Sequence, residues 1–585
     1  MSHLSDDIED LPLPPKQIKS DSLTRASVVP IDPSKPSVFI KVYGCAHAHS
    51  DGEYISGLLR DAGYPLTSSI EDCGIVISYG CTVKNPSEES FLNTCIKGAK
   101  LNKLVIGCGC VSQADPNHDK IPPNVALVGV RELNRIVEVA DKLRQGEVLK
   151  LVPTVAKPLS KAERRKIGKS GDHPGKYDHI KDENVLIPSF VIPPLDPTKA
   201  VLPPLECSKI RQNPLIEMLT VSVGCDFACA FCKTRFARGR HQSYPPSAIV
   251  ERARTVCERD GIKEIWLTGE DVGAYGSDLD RDGGSEGGAR WNLPRLVTEI
   301  CKAIPPHVMI RVGQTNPNHL FVHLADYVDM YRLPNVYKFA HIPVQSGSNT
   351  TLKAMRRAYT VEQFRTVVET LRKEIPNITI LTDFICGHPG ETEEAHKETI
   401  ALCNEMQFPF MNITQMYPRK GTPAFEMEKI PSATVKARSR ELSALMRQAN
   451  PLEPMRHLRN QPVLFTDIAD DGSFLIGHLD NYIKVILRAK EEEEPFSLPQ
   501  EEDPEKGEKR MKLEVEPQKM RKKKQRGSVI GQDGWDEKES SAGWSEKMAG
   551  VDLRTFGVEL GQWVNVDIVD LARFCLFGEV TQNVG

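Results

Sequence analysis

Three cysteines, Cys225, Cys229 and Cys232 in VGCDFACAFCKTR, stand at a spacing that chance rarely produces in a chain with fifteen cysteines in 585 residues. Thiolates gathered over so short a stretch suit a soft metal, either zinc or an iron–sulfur cluster. Zinc asks for a fourth ligand, and Cys207 and His241 are the nearest side chains of the right type. A 4Fe-4S cluster on three thiolates instead leaves one iron without a protein ligand, the open position that binding a reactive small molecule requires.

A second set is dispersed. Cys45, Cys81 and Cys110 each lie just past the end of a short run rich in β-branched residues: VFIKVY (38–43), GIVISY (74–79) and KLVIG (103–107). Ligands in open parallel sheets bind at the carboxyl edge, so three strands can bring three distant thiols to one point. The competing reading is ordinary burial of cysteines near sheet ends. Cys73, Cys95 and Cys108 share the region, and Cys108 competes with Cys110 as the third thiol because alternate strand residues face opposite ways.

The elements that must hold these residues follow from the hydrophobic pattern. VALVGV (125–130) adds a fourth run to the first block, with helical periodicity in YISGLLRDAG and LNRIVEVADKL, which predicts a small open parallel α/β sheet. From about 214 to 450, six candidate strands (IEMLTVSV, EIWLT, VMIRVG, VYKFAHIPV, ITILTDFI and MNITQMY) alternate with helical segments, which predicts a complete or partial barrel of parallel strands. PVLFTDI, FLIGHL, YIKVILR and WVNVDIVDLA predict a C-terminal β unit interrupted by a charged insert. The expected division is a disordered leader at 1–35, the first α/β domain at 36–150, a basic and Pro-rich linker at 151–210, the barrel at 211–452, and the β domain at 453–585 with a disordered insert at about 490–550.

Composition bounds the function. The 75 Lys and Arg against 79 Asp and Glu give a net charge of −4, so any nucleic-acid contact must be local. No apolar run reaches the ~18 to 20 residues of a membrane helix. The N-terminus has neither the apolar core of a signal peptide nor the character of a transit peptide, so a reducing compartment is expected, where clustered cysteines point to metal or redox chemistry. The window 503–526 holds ten Lys and Arg against five Asp and Glu and ends in RKKKQR, readable as polyanion steering, a nuclear localisation signal or a solvated loop. Arg235, Arg238 and Arg240, just past the cysteine motif, are placed to meet phosphate, with a surface salt-bridge face as the plainer reading. His341 and Gln345 in HIPVQSGS are candidates for lining a substrate or cofactor.

The Cys-x-x-x-Cys-x-x-Cys motif, with aromatic Phe231 before its last cysteine, resembles that of the radical S-adenosylmethionine (SAM) superfamily. Together with YGCAHAHSDGEY, CTVKNPSEES, GCVSQ, EIWLTGEDVGAYG, RVGQTNPNHL, TDFICGHPGET and MYPRKGTPA, in order from about 38 to 424, it makes the chain similar to the methylthiotransferases. SDGEY, CTVKNP and TNP are most similar to the archaeal and eukaryotic branch acting on threonylcarbamoyladenosine in tRNA. The resemblance implies an N-terminal domain with an auxiliary 4Fe-4S cluster on Cys45, Cys81 and Cys110, with GCV favouring Cys110 over Cys108. It implies a radical SAM barrel with a second 4Fe-4S cluster on Cys225, Cys229 and Cys232, SAM contacts at Thr268, Gly269 and Glu270, and a TRAM-like RNA-binding β-barrel.

The implied reaction uses SAM cleavage to make a radical that takes hydrogen from carbon 2 of the adenine, where a methylated sulfur from the auxiliary cluster joins. The nucleotide would leave its stack in the anticodon loop, and an electron donor and a sulfur source are required partners. Departures from the family are Ala48 where many relatives carry Asn, Tyr79-Gly80 before Cys81, and His388 where GFPGET has Phe. Alternatives are action on another adenosine or a protein aspartate, or a non-catalytic iron–sulfur RNA-binding or regulatory protein. The end LFGEVTQNVG lacks the membrane-anchoring tail of animal relatives, so a cytoplasmic enzyme is expected, with a nuclear location admitted by RKKKQR.

Overall fold

Short runs of Val and Ile that are buried on both faces read as parallel strands flanked by helices, and the first block is built that way. In a computed structural model the protein is described over residues 31–82, 85–152, 202–279, 290–469, 472–488, 556–572 and 574–581, with residue 553 and the backbone of two short paired strands at 157–158 and 190–191. The RKKKQR run, the charged insert, most of the leader and most of the linker lie outside the described residues.

The first domain is a six-stranded parallel sheet in the order β2-β1-β3-β4-β5-β6, comprising β1 (Val38–Tyr43), β2 (Leu66–Thr67), β3 (Ile75–Gly80), β4 (Leu104–Gly109), β5 (Ala126–Val128) and β6 (Lys150–Leu151). The two-residue β2 and β6 carry too little pattern to be read from sequence. Helices α1 (Ala46–Asp61), α2 (Asn85–Lys100), α3 (Cys110–Ala114) and α4 (Ile136–Arg144) cover the sheet. Residues 31–35, read as leader, are anchored: Lys35 donates to the Ala62 carbonyl at 2.7 Å and sits over the Tyr64 ring.

All six barrel strands form: β7 (Ile216–Thr220), β8 (Glu264–Thr268), β9 (Met309–Val312), β10 (Phe339–His341), β11 (Thr379–Cys386) and β12 (Phe410–Gln415). They make two parallel three-stranded sheets, β9-β8-β7 and β10-β11-β12, joined by a parallel bridge between Ile310 and Val336, which is a partial (β/α) barrel. The connecting helices obey the sequence pattern. In Val361–Glu374, Thr360 and Gln363 close a capping box while Val361, Phe364, Val367, Val368 and Leu371 face the core.

The C-terminal domain is a closed five-stranded barrel in the order β13-β14-β15-β17-β16: β13 (Gln461–Ile468), β14 (Phe474–His478), β15 (Lys484–Arg488), β16 (Trp563–Leu571) and β17 (Leu576–Val580). The sequence reading supplied four of these. The fifth, LFGEV, is not among the expected strands; it pairs with both β15 and β16 and closes the barrel.

Two junctions hold the domains together. β7 is the edge strand of the open barrel, and an uncovered edge exposes unpaired backbone groups. Here α1 covers it: the Met218 carbonyl accepts from Ser50 Oγ at 3.0 Å and from Lys209 Nζ at 2.5 Å. Residues 202–213, which overlap the expected linker at 151–210, form a packed strap in which Ile210 N donates to the Glu53 carbonyl at 3.0 Å and Gln212 N to Glu53 Oε1 at 2.8 Å. At the opposite end, Met309, Tyr337, Phe339, Leu381 and Phe410 from the amino ends of the strands share one core with the C-terminal barrel.

Candidate metal centres

The loop after β7 carries Cys225, Cys229 and Cys232, and its backbone is held from three sides. Cys225 N donates to the Gly239 carbonyl at 3.2 Å, Ala230 N to the Met355 carbonyl at 3.0 Å, and Ala424 N to the Ala230 carbonyl at 2.9 Å. Burial pushes the Cys225 thiol well up, and Asp271 adds to the effect. Cys229 receives a bond from Arg357 Nη1 at 3.0 Å, and Thr234 N lies 3.4 Å from Cys232 Sγ. Arg357 is fixed in turn by Tyr359 Oη at 2.9 Å and by Asn316, which also donates through Nδ2 to Asp271 at 2.7 Å. These partners were missed in the sequence because they arrive from β8, β9 and a later loop.

Neither proposed fourth ligand for zinc joins the loop. His241 Nε2 is engaged with Ser243 Oγ at 3.1 Å and lies 3.6 Å from Asp278, while Cys207 sits against Tyr54 across the domain junction. Among the described residues no group of three or more His, Cys, Asp or Glu side chains is placed to hold a metal ion. Three soft thiols without a fourth protein ligand are the donor set that a cluster with one open iron requires.

The N-terminal thiols stand at the carboxyl ends of neighbouring strands, with Cys45 hydrogen-bonded to Cys81. Cys45 is the N-cap of α1, Cys81 follows β3 directly, and Cys110 opens α3 after β4. Gly44 allows the first two to approach, since a Cβ at that position would stand 2.6 Å from Cys81 Cβ. Hydrogen bonding to Cys81 lowers the Cys45 thiol to about 6, with His47 and Arg238 helping against burial. Burial raises Cys110 to about 11, with Arg238 pulling the other way. The competing Cys108 is fully buried in the sheet core beside Ile77, Ile106, Ala126 and Val128.

Between the two sets lies a buried polar junction. Glu270 Oε1 meets His47 Nδ1 and Arg238 Nε, each at 2.8 Å, and Oε2 accepts from Gly224 N at 2.6 Å. Burial alone would raise this carboxyl, but His47 and Arg238 hold it at about 2. Glu270, expected among the SAM contacts, thus has both oxygens engaged in the junction. Thr268 is buried and joins the hydroxyls of Thr220 and Ser50 in a chain, and Gly269 lies against Ser222.

Arg238, expected with Arg235 and Arg240 to meet phosphate, lies inside the same junction. It is 2% exposed and committed to carboxylates, whereas Arg235 and Arg240 are half-buried. His341 Nε2 bonds Asp383 at 2.8 Å, and Gln345 adopts φ 69°, the left-handed region, where its backbone bridges to β11.

Two family models match: the radical SAM superfamily over residues 219–403 and the uncharacterized protein family UPF0004 over residues 37–129. A human threonylcarbamoyladenosine tRNA methylthiotransferase is 36% identical over 455 residues, covering 78% of this chain and 70% of that protein. The chain belongs to this methylthiotransferase family. An archaeal member, a probable threonylcarbamoyladenosine tRNA methylthiotransferase of Pyrococcus horikoshii, is 34% identical over 412 residues, covering 70% of this chain and 84% of that protein. Among solved structures, the radical SAM methyltransferase TsrM of Kitasatospora setae aligns over 67% of this chain and 77% of its own at 12% identity and a TM-score of 0.42. As a radical SAM methylthiotransferase, the chain is an enzyme whose family uses a 4Fe-4S cluster and SAM. Among the described residues no helix is long and apolar enough to cross a membrane.

Proposed function

We propose that this protein transfers a methylthio group to carbon 2 of threonylcarbamoyladenosine beside the anticodon of tRNA, in the cytoplasm, with Cys225, Cys229 and Cys232 holding one 4Fe-4S cluster and Cys45, Cys81 and Cys110 a second. The observation that supports this reading is the buried junction of His47, Glu270 and Arg238, which reaches Cys110 in the first domain and Gly224, beside Cys225, in the second. Family membership at 36% identity over most of the chain supports the tRNA nucleoside as substrate.

Bound in these sites, the clusters and SAM supply one-electron reduction, radical generation and sulfur delivery. The protein's own residues arrange those groups. Arg357 fixes Cys229 through a charged hydrogen bond, and buried Asp271 anchors the Asn316 side chain that orients Arg357. Glu270 ties Gly224, the residue before the first cysteine, to α1. Thr268, Gly269 and Glu270 are the proposed SAM contacts, while Arg235, Arg238 and Arg240 provide positive charge where an anticodon phosphate would approach, with the more accessible Arg235 and Arg240 outermost. On this reading residues 36–150 form the sulfur-delivering domain, 211–452 the radical domain and 453–585 the RNA-binding barrel. The reaction also consumes an electron donor and a sulfur source.

Mass spectrometry of tRNA nucleosides from cells lacking the protein tests the proposal. The expected result is loss of the 2-methylthio form of threonylcarbamoyladenosine, restored by the intact chain and not by Cys225→Ala. An unchanged nucleoside profile would overturn it.

A further inference from the structure

Arg238 lies six residues past Cys232, at the end of α5 (Thr234–Arg238), yet its side chain leaves the barrel and crosses into the first domain. There it meets every polar group of the junction. Nε is 3.3 Å from Cys110 Sγ and 2.8 Å from Glu270 Oε1, and Nη1 is 3.0 Å from His47 Nε2. Nη2 is 2.7 Å from Asp51 Oδ2 and 3.1 Å from Tyr79 Oη, and the Tyr79 hydroxyl in turn donates to Asp51. The Arg238 carbonyl is itself held by Arg131 Nη2 at 2.6 Å.

A planar guanidinium with five fixed donors can satisfy such a set, whereas a lysine ammonium on a flexible stem cannot. Asp51 and Glu270 balance the charge, which makes a fully buried cation tolerable. The bond to sulfur remains to be explained. A buried ion pair needs no thiol, and Cys110 is one of the three cysteines proposed to hold the N-terminal cluster.

We infer that Arg238 is a positioning residue for that second cluster: a side chain rooted in the radical SAM loop donates a hydrogen bond to the Cys110 thiolate, setting the reduction potential of the N-terminal site and fixing it against the barrel. A charged donor on a ligating sulfur withdraws electron density and favours the reduced form. Tyr79 completes the clamp by holding both Asp51 and one arm of the guanidinium. The inference rests on the two-cluster reading above.

The test uses the full chain carrying Cys225→Ala, Cys229→Ala and Cys232→Ala, reconstituted with iron and sulfide so that only the N-terminal cluster remains. It is titrated with dithionite and mediators while the paramagnetic signal is followed. Adding Arg238→Gln is expected to lower the ratio of reduced to oxidised cluster about tenfold at a fixed poise, a shift of about 59 mV to more negative potential for one electron. Arg238→Lys, which keeps the charge, and Tyr79→Phe, which keeps the ring, are expected to shift it less and in the same direction. Unchanged potential and line shape in all three variants would overturn the inference while leaving two clusters in place. Absence of any cluster from the triple alanine chain would instead overturn the two-cluster reading, and the inference with it.

Discussion

At the scale of single residues, what decides between neighbouring cysteines is the turn between strand and helix. Cys108 is the fifth residue of β4 and faces the apolar core, whereas Gly109 at φ +94° swings the chain so that Cys110 begins α3 toward Arg238. Sequence alternation alone left both open, because strand periodicity does not say where the strand stops. Cys110→Ser should therefore reduce bound iron in the reconstituted protein from about eight to about four atoms per chain. Cys108→Ser should leave the iron count unchanged and lower the unfolding midpoint slightly, since it places a hydroxyl in an apolar core. Equal iron loss in both variants, read by elemental analysis, would reverse the assignment. The strand-end positions of Cys45, Cys81 and Cys110 and of the Cys225–Cys232 loop were legible in the sequence because they follow local apolar runs, while the preference for Cys110 over Cys108 came from the resemblance. His47, Asp51, Tyr79 and Arg357 were not legible, because each gains its role from a partner dozens to hundreds of residues away.

At the scale of elements, the strands and helices of the barrel follow from apolar periodicity, and the strap over α1 does not. Residues 202–213 are rich in Pro and polar side chains and carry no period, so they read as linker, yet they supply Lys209 and Arg211 to a buried ionic cluster around Glu217. The fit is tight: a Cβ at Gly57 would stand 1.9 Å from the Ser208 carbonyl oxygen, so Gly57→Ala should displace the strap and destabilise the junction. Beside it, Glu53 is 1% exposed, and burial raises its carboxyl from 4.5 to about 7 despite the pull of Lys209. A carboxyl that is harder to ionise in the folded chain contributes stability fully present below pH 4.5 and lost as pH rises toward 7. Glu53→Gln removes that loss. Chemical denaturation should find the variant close to the parent at pH 4.5 and more stable above pH 7, by up to about 3 kcal/mol. A variant equally stable or less stable than the parent at pH 8 would show that Glu53 is ionised and usefully paired at neutral pH.

At the scale of the whole molecule, the barrel is closed at both ends by other domains, and the lower closure is a polar knot rather than a simple apolar plug. Glu264, fully buried at the start of β8, accepts from Trp266 Nε1 at 2.8 Å, from Tyr337 Oη at 3.0 Å and from Thr466 Oγ1 of the C-terminal barrel at 2.9 Å. The Arg311 guanidinium lies within about 5 Å of the ring centroids of Trp266, Phe339 and Tyr482, the last from the C-terminal barrel. Contacts between residues some 200 positions apart leave no mark on local pattern, which is why two barrels are legible in the sequence and their arrangement is not. Removing one acceptor from such a knot strands several donors at once. Glu264→Ala should therefore cost roughly 3 to 5 kcal/mol, and Tyr337→Phe, which deletes a single donor, about 1 kcal/mol. Because Glu264 bridges the two barrels, its loss should also split thermal unfolding into two transitions, with the five-stranded barrel melting first. A single, merely lowered transition in Glu264→Ala would mean that the shared apolar core of Met309, Phe339 and Phe410 couples the barrels without the carboxylate.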